Sequence, residues 1–285
     1  MKIIITGKVF SKYICVFTLS LLVVFSGKVD AAEEPSLRAN TVPLKHHFKT
    51  DLAITAIASA GWIIMEVIND DIAPASCRWC GVNDLDNWGH QELKWANSSA
   101  ANIASDVTAY GLAPLVAFGL DALAANHDDQ LNNFKIDALI IAEAVSLSGL
   151  LNQIIKISVG RQRPYAHYGG SVSGGSPNTS FYSGHTNMAF ALAVSSGTVA
   201  SIRQYRFAPI VWGAGLTVAS VTGYLRIAAD KHYITDVLGG AVIGSAIGFA
   251  IPYLFHGPQE IQKYNIMVSP MSSEKGLAFS MSGMF

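Results

Sequence analysis

The stretch Arg226-Ile-Ala-Ala-Asp-Lys-His232-Tyr-Ile-Thr-Asp236-Val-Leu-Gly-Gly240-Ala-Val-Ile-Gly244 decides how this chain is read. It leaves one apolar segment at Arg226, crosses a short polar turn and enters another. His232 and Asp236 are four apart, so on a helix they share one face, one turn apart. A carboxylate there can accept the Nδ1 proton of the imidazole and leave the Nε2 lone pair aimed outward, which makes a histidine an oriented nucleophile. Arg226 can grip two phosphate oxygens at once. Gly240, Gly244 and Gly248 follow at four-residue spacing, a small-residue stripe that lets helices pack closely. Alone, the stretch also reads as a helix start, with a capping His232 and an Asp236 that favours the helix dipole.

Two upstream stretches change that balance. Phe181-Tyr182-Ser183-Gly184-His185-Thr186-Asn187 precedes an apolar helix. Backbone N–H groups at a helix start bind anions, and Gly184 lets a phosphate come close. Ser183 can add a hydroxyl donor, and His185 is placed to protonate a leaving oxygen. The plain alternative is a helix start with Ser183 or Thr186 as N-cap. Further upstream, Lys156-Ile-Ser-Val-Gly-Arg161-Gln-Arg163-Pro164 puts Lys156 and Arg163 about two helical turns apart, with Pro164 ending that helix. Either cation could instead serve the helix dipole. Arg161 lies off this face and reads as a solvent or headgroup contact.

The rest of the chain makes these charges conspicuous. Of 285 residues only 14% are charged while 51% are hydrophobic, against about a quarter charged in ordinary soluble domains. Mean hydropathy is +0.34. A net charge of −1 excludes a nucleic-acid partner held by bulk charge. Ionisable groups are costly among apolar residues, so three cations, two imidazoles and a carboxylate gathered in such a chain need a function.

Apolar stretches recur at helical length over Leu52–Asn69, Ile103–Ala124, Phe134–Ile157, Asn187–Ile202, Ala208–Ala228 and Ile234–Phe255. They predict an all-α, six-helix bundle over 52–257, preceded by an arm at 32–51 and followed by a tail at 258–285 that suits a short hairpin. The lengths allow membrane crossing, in which case Asp121, Asp137 and Glu143 must face the bundle interior. At the N-terminus, Lys2, Lys8 and Lys12 precede an apolar core at Cys15–Phe25 and a small-residue site at Val29-Asp30-Ala31, the pattern of an export signal over 1–31. Cys77 and Cys80 lack the further ligands a zinc site needs, and in an exported chain they suit a local disulfide. A cleaved signal and six crossings would leave Lys156–Arg163 on the cytoplasmic side. The reading adopted is therefore a membrane-associated bundle of the bacterial cell envelope with its site facing the periplasm. Trp79, Trp88 and Trp95 could sit at a membrane interface or anchor local packing.

Together the three stretches resemble the type 2 phosphatidic acid phosphatase superfamily, which shares its site with bacterial non-specific acid phosphatases and vanadium haloperoxidases. The family pattern is Lys-x6-Arg-Pro, then Pro-Ser-Gly-His, then Ser-Arg-x5-His-x3-Asp. Lys156, Arg163 and Pro164 match the first block; Ser183, Gly184 and His185 the second; Arg226, His232 and Asp236 the third. Tyr182 stands where Pro is usual and Leu225 where Ser is usual, so the loop shape that fits the substrate differs here. The resemblance covers about residues 50–257. It implies a phosphatase that needs no metal and no cofactor. His232, oriented by Asp236, would attack phosphorus; Lys156, Arg163, Arg226, Ser183 and the Gly184 amide would hold the phosphate oxygens; His185 would protonate the leaving alkoxide and later activate water. His46, His47, His90, His127, His167 and His256 have no assigned role, although His167 is close enough to Pro164 to line the mouth. The expected substrate is a lipid phosphate, such as phosphatidic acid, phosphatidylglycerol phosphate, undecaprenyl pyrophosphate or the lipid A headgroup. The alternatives are a soluble periplasmic acid phosphatase, a vanadate-dependent haloperoxidase, or a non-catalytic helical protein that kept the cradle.

Overall fold

A computed structural model describes residues 42–170 and 175–258, together with the backbone of 267–273 and 276–282. The expected export signal lies outside the described residues. Nine helices are present among them, not six. Six are long: α1 (Phe48–Val67), α4 (Ser98–His127), α5 (Phe134–Val159), α7 (Gly184–Ile202), α8 (Ala208–Ala228) and α9 (Ile234–Phe255). Three are short: α2 (Asn69–Ile72), α3 (Asp84–Leu93) and α6 (Pro164–His167). The short ones lie in segments rich in Asn, Asp and Gly, where no apolar periodicity marks a helix. After the bundle, Met267–Ser273 and Gly276–Ser282 pair as antiparallel strands β1 and β2, with Met267 opposite Ser282.

Helix α7 is the axis, with α4, α5, α8 and α9 packed around it and α1 laid against α5. Its sequence explains the position: Ala189, Ala191, Ala193, Ser195, Ser196 and Gly197 give a thin helix, buried on nearly every side. The glycine stripe of α9 faces it. A Cβ on Gly240 would lie 2.7 Å from the Ser183 carbonyl, and one on Gly248 would lie 2.8 Å from the Ala191 carbonyl. The two backbones therefore touch, and no larger residue fits without separating the helices.

Asp121, Asp137 and Glu143 are buried, facing inward. Arg203 donates from Nε and Nη2 to Asp137 Oδ1 at 2.9 and 2.7 Å, and the Tyr205 hydroxyl donates to Oδ2 at 2.8 Å. This lock ties the start of α5 to the end of α7. The outer surface is apolar: Ile57, Leu115, Val242 and Phe255 are all more than 60% exposed. Five helices are long and apolar enough to cross a membrane: α1, α4, α5 (extended back to Leu131), α8 and α9.

The long helices alternate in direction. The ends of α1, α5 and α8 and the starts of α4, α7 and α9 therefore gather at one face of the bundle. The segment before α1 lies at the other, where Lys45 N–H donates to the His256 carbonyl at 2.9 Å. Cys77 and Cys80 form a disulfide in the loop after α2, at the first of these faces.

Candidate functional site

Lys156 leaves the last turn of α5. The helix stops at Gly160, whose φ of +61° is left-handed and whose N–H returns to the Lys156 carbonyl at 3.0 Å. The stop thus comes before Pro164, and Arg163 is reached along extended backbone rather than along a second helical turn. Pro164 instead opens α6, with Arg163 as its N-cap. The Arg163 guanidinium is held by the carbonyls of Ser176 (3.0 Å) and Lys231 (3.1 Å). Its Nη1 lies 3.3 Å from His232 Nε2.

That contact fixes the imidazole. His232 Nδ1 is 2.8 Å from the Ser180 carbonyl, which can only accept, so Nδ1 carries the proton. Nε2 then presents its lone pair to Arg163. Asp236 is not the direct partner expected from the four-residue spacing. It lies 3.7 Å from Nδ1, because it sits at the third position of α9 and accepts from the Tyr233 N–H at 3.0 Å in a capping box. Its other partners are the Ser180 hydroxyl and Arg161 Nη1, both at 2.5 Å.

Arg161 is the clearest correction. Expected at the surface, it is fully buried. Its guanidinium lies between the rings of Trp79 (4.1 Å) and Tyr233 (4.3 Å). It also donates to Asp86 Oδ2 at 2.6 Å.

Ser183 is the N-cap of helix α7. A Cβ on Gly184 would lie 2.9 Å from both Lys156 Nζ and Asn152 Oδ1, so the cation passes directly over the helix start and a side chain there would displace it. The Ser183 hydroxyl accepts from Thr186 at 2.9 Å, inside the protein. His185 Nε2 is 2.8 Å from Asp106 Oδ1 on α4, and the edge of Tyr110 packs on its ring. Arg226, at the end of α8, donates to Asn102 Oδ1 and Ser105 Oγ, both at 2.9 Å. Asp106 lies just before a π-helical stretch at Thr108–Leu112 and Tyr110 lies within it, the kind of irregularity often found at functional sites.

A cavity of about 440 Å³ joins these groups. Lys156, Arg163, Gly184, His185, Arg226 and His232 line it, as do Asp106, Lys231, Trp62 and Met188. Ser183 and Asp236 stand behind its wall. His167 is not in the wall and contacts Gln162 at 3.4 Å. Burial, and then the charges of Arg163, Arg226 and Lys156, hold His232 well below the usual imidazole range. Burial and Arg226 push His185 down too, against the pull of Asp106. Both shifts favour the neutral ring, and a bound dianion would oppose them.

Ser180, Asp86 and Asp106 were not singled out in the sequence. Ser180 acts through a backbone carbonyl, which no residue type signals. The two aspartates are far in sequence from the histidines they serve.

A helical bundle that gathers cations and two imidazoles around one cavity is an anion-handling class of protein. Residues 137–259 match the model of the PAP2 superfamily. The lipid A 1-phosphatase of Porphyromonas gingivalis is 34% identical over 113 residues; the match takes in 39% of this chain and 22% of that protein. The chain thus matches about a fifth of that curated relative's length. Among solved structures, a transmembrane PAP2 type phosphatidylglycerolphosphate phosphatase from Bacillus subtilis aligns with a TM-score of 0.43 and 17% identity, over 73% of this chain and 93% of that one.

Proposed function

We propose that the protein hydrolyses a phosphate ester of a membrane lipid through a phosphohistidine on His232, with no metal. One observation carries this reading: the Nε2 lone pair of His232 faces a cavity whose wall holds Lys156, Arg163 and Arg226. In the reaction His232 Nε2 attacks phosphorus, and the bond to the lipid oxygen breaks. His185 gives its proton to the departing alkoxide, having become protonated once the phosphate charge offsets the cations, with Asp106 as its partner. Water then attacks the phosphohistidine, His185 takes the water proton, and inorganic phosphate leaves. The cations and the amides at the start of α7 stabilise the charge that builds on the phosphoryl oxygens. Asp236 acts at one remove, through Ser180.

A lipid substrate is favoured by Trp62, Tyr110 and Met188 in the same wall as the cations, and by the apolar flanks of the bundle. The relative whose printed name is a lipid A 1-phosphatase agrees with this class. The disulfide at the mouth favours an oxidising compartment, hence a periplasmic face. The test is phosphate release from phosphatidic acid and from a lipid A phosphate in mixed micelles, with and without chelator. Wild type should release phosphate unchanged by chelation, and acid-labile, base-stable label should accumulate on His232. His232→Ala should lose turnover by a factor on the order of 10⁴ or more. Activity that disappears with chelator and returns with a divalent metal would refute the mechanism.

A further inference from the structure

We propose that Arg161 and Asp86 are positioning residues for the His232 nucleophile, and that the disulfide-closed loop at Cys77–Cys80 holds Arg161 in place. This rests on His232 being the nucleophile.

The direction of the His232 ring depends on where the Ser180 carbonyl sits, because that carbonyl receives its Nδ1 proton at 2.8 Å. Ser180 is gripped twice. Its N–H donates to the Arg161 carbonyl at 2.9 Å, and its hydroxyl donates to Asp236 Oδ2 at 2.5 Å. Asp236 Oδ1 in turn accepts from Arg161 Nη1 at 2.5 Å. The contacts close a ring: Arg161 backbone, Ser180, Asp236, Arg161 side chain. One residue thus fixes both the main chain and the side chain of the group that aims the imidazole.

Arg161 itself is fixed from outside the ring. Asp86 on α3 takes its Nη2 at 2.6 Å, and also receives the Thr235 N–H at 2.9 Å and the Thr235 hydroxyl at 2.7 Å. Asp86 therefore ties the guanidinium to the start of α9, four residues or fewer from His232. Trp79 and Tyr233 cover the two faces of the guanidinium. Trp79 lies between the two cysteines and pairs with the Arg161 strand: its N–H meets the Gly160 carbonyl at 3.4 Å and its carbonyl accepts the Gln162 N–H at 3.1 Å. Arg78 beside it donates to the carbonyls of Ile157 and Ser158 at 3.2 and 2.8 Å, at the end of α5. A planar fork with two covered faces and two carboxylate partners suits arginine and not lysine. Arg161 is absent from the cavity wall, so its effect must pass through other residues.

The experiment uses the full chain in detergent, with Arg161→Lys, Asp86→Asn and Trp79→Leu. It measures kcat per phosphate-binding site, the inhibition constant of inorganic phosphate, and the ¹⁵N shifts of the His232 imidazole. Displacing a reacting group by about 1 Å costs on the order of 100-fold, and that loss in kcat is expected for Arg161→Lys. Inorganic phosphate should still bind within about threefold of wild type, because the loss falls on the chemical step. The His232 shifts should change from a single Nδ1-protonated tautomer to a mixture. Asp86→Asn and Trp79→Leu should give smaller losses with the same split; they decide the matter if Arg161→Lys does not fold. The proposal falls if kcat per phosphate-binding site stays at the wild-type level, or if phosphate affinity drops in step with kcat. A wild-type chain that releases no phosphate refutes the hydrolase reading instead. The tautomer shift then tests the ring alone, and an unchanged shift in Arg161→Lys overturns it.

Discussion

At His232 a buried imidazole faces Arg163 at 3.3 Å, with Arg226 and Lys156 in the same cavity wall. Protonation would add one more positive charge to that enclosed space, so the neutral form persists to lower pH than in a free histidine. If the neutral ring is the nucleophile, kcat/KM should hold its value through mildly acidic pH and fall only when the ring finally takes up a proton. Removing a cation must move that limb upward. Arg163→Gln is expected to shift the acid limb of kcat/KM to higher pH, after correction for the second ionisation of the substrate; a shift to lower pH would contradict the assignment. Of the residues singled out in the sequence, Lys156, Arg163, His185, Arg226 and His232 line the cavity; each is a charged or imidazole residue near the end of an apolar run. The partner of His232 was not legible in this way. Spacing placed Asp236 on the right face, but the capping box drew its carboxylate to the Tyr233 N–H and to Ser180, leaving 3.7 Å to the ring. Arg161 was misread for a related reason: its position was judged along a helix that Gly160 had already ended.

Among the elements, α7 and α9 are joined by backbone contact, and the glycines of α9 serve two purposes. Gly248 touches the Ala191 carbonyl, far along the bundle, whereas Gly240 touches the carbonyl of Ser183 at the start of α7. Valine at either position should destabilise the protein by roughly 1–3 kcal/mol through overpacking, read as a lower thermal midpoint. The two should differ in activity. Gly248→Val should keep the turnover of the remaining folded protein, and Gly240→Val should lose much of it by pushing the start of α7 away from Lys156. Equal turnover per folded molecule would show that helix separation does not reach the cavity. The stripe itself was readable from sequence, as were the six long helices, because apolar length and small-residue spacing are local signals. The short helices α2, α3 and α6 were not, since capping and tertiary contacts decide them. Asn83 caps α3 through the Asp86 N–H at 2.9 Å, and the Asp86 side chain is committed to Arg161.

Across the whole molecule, cavity and disulfide share one end, and the turns at Leu131–Asn133 and around Arg206 lie at the other. If the site faces the periplasm, opposite ends should differ in access. In a background lacking Cys15, a cysteine at Gln91 should react with an impermeant maleimide on intact cells, while one at Asn132 should react only after lysis. The reverse pattern would put the site on the cytoplasmic side. If the helices cross, Val42–His47 then lies on the cytoplasmic face, an arrangement that a cleaved export signal does not produce. The central helix adds a measure of its own. Its 19 residues span about 28 Å at 1.5 Å per residue, close to the roughly 30 Å of a hydrocarbon core. The Asp137–Arg203 lock holds one end and the glycine contacts hold the other, so this rod cannot slide along its axis. If the bundle crosses a bilayer with this helix along the normal, the cations at its start lie near the headgroup plane, and a lipid phosphate must sit at that height to reach them.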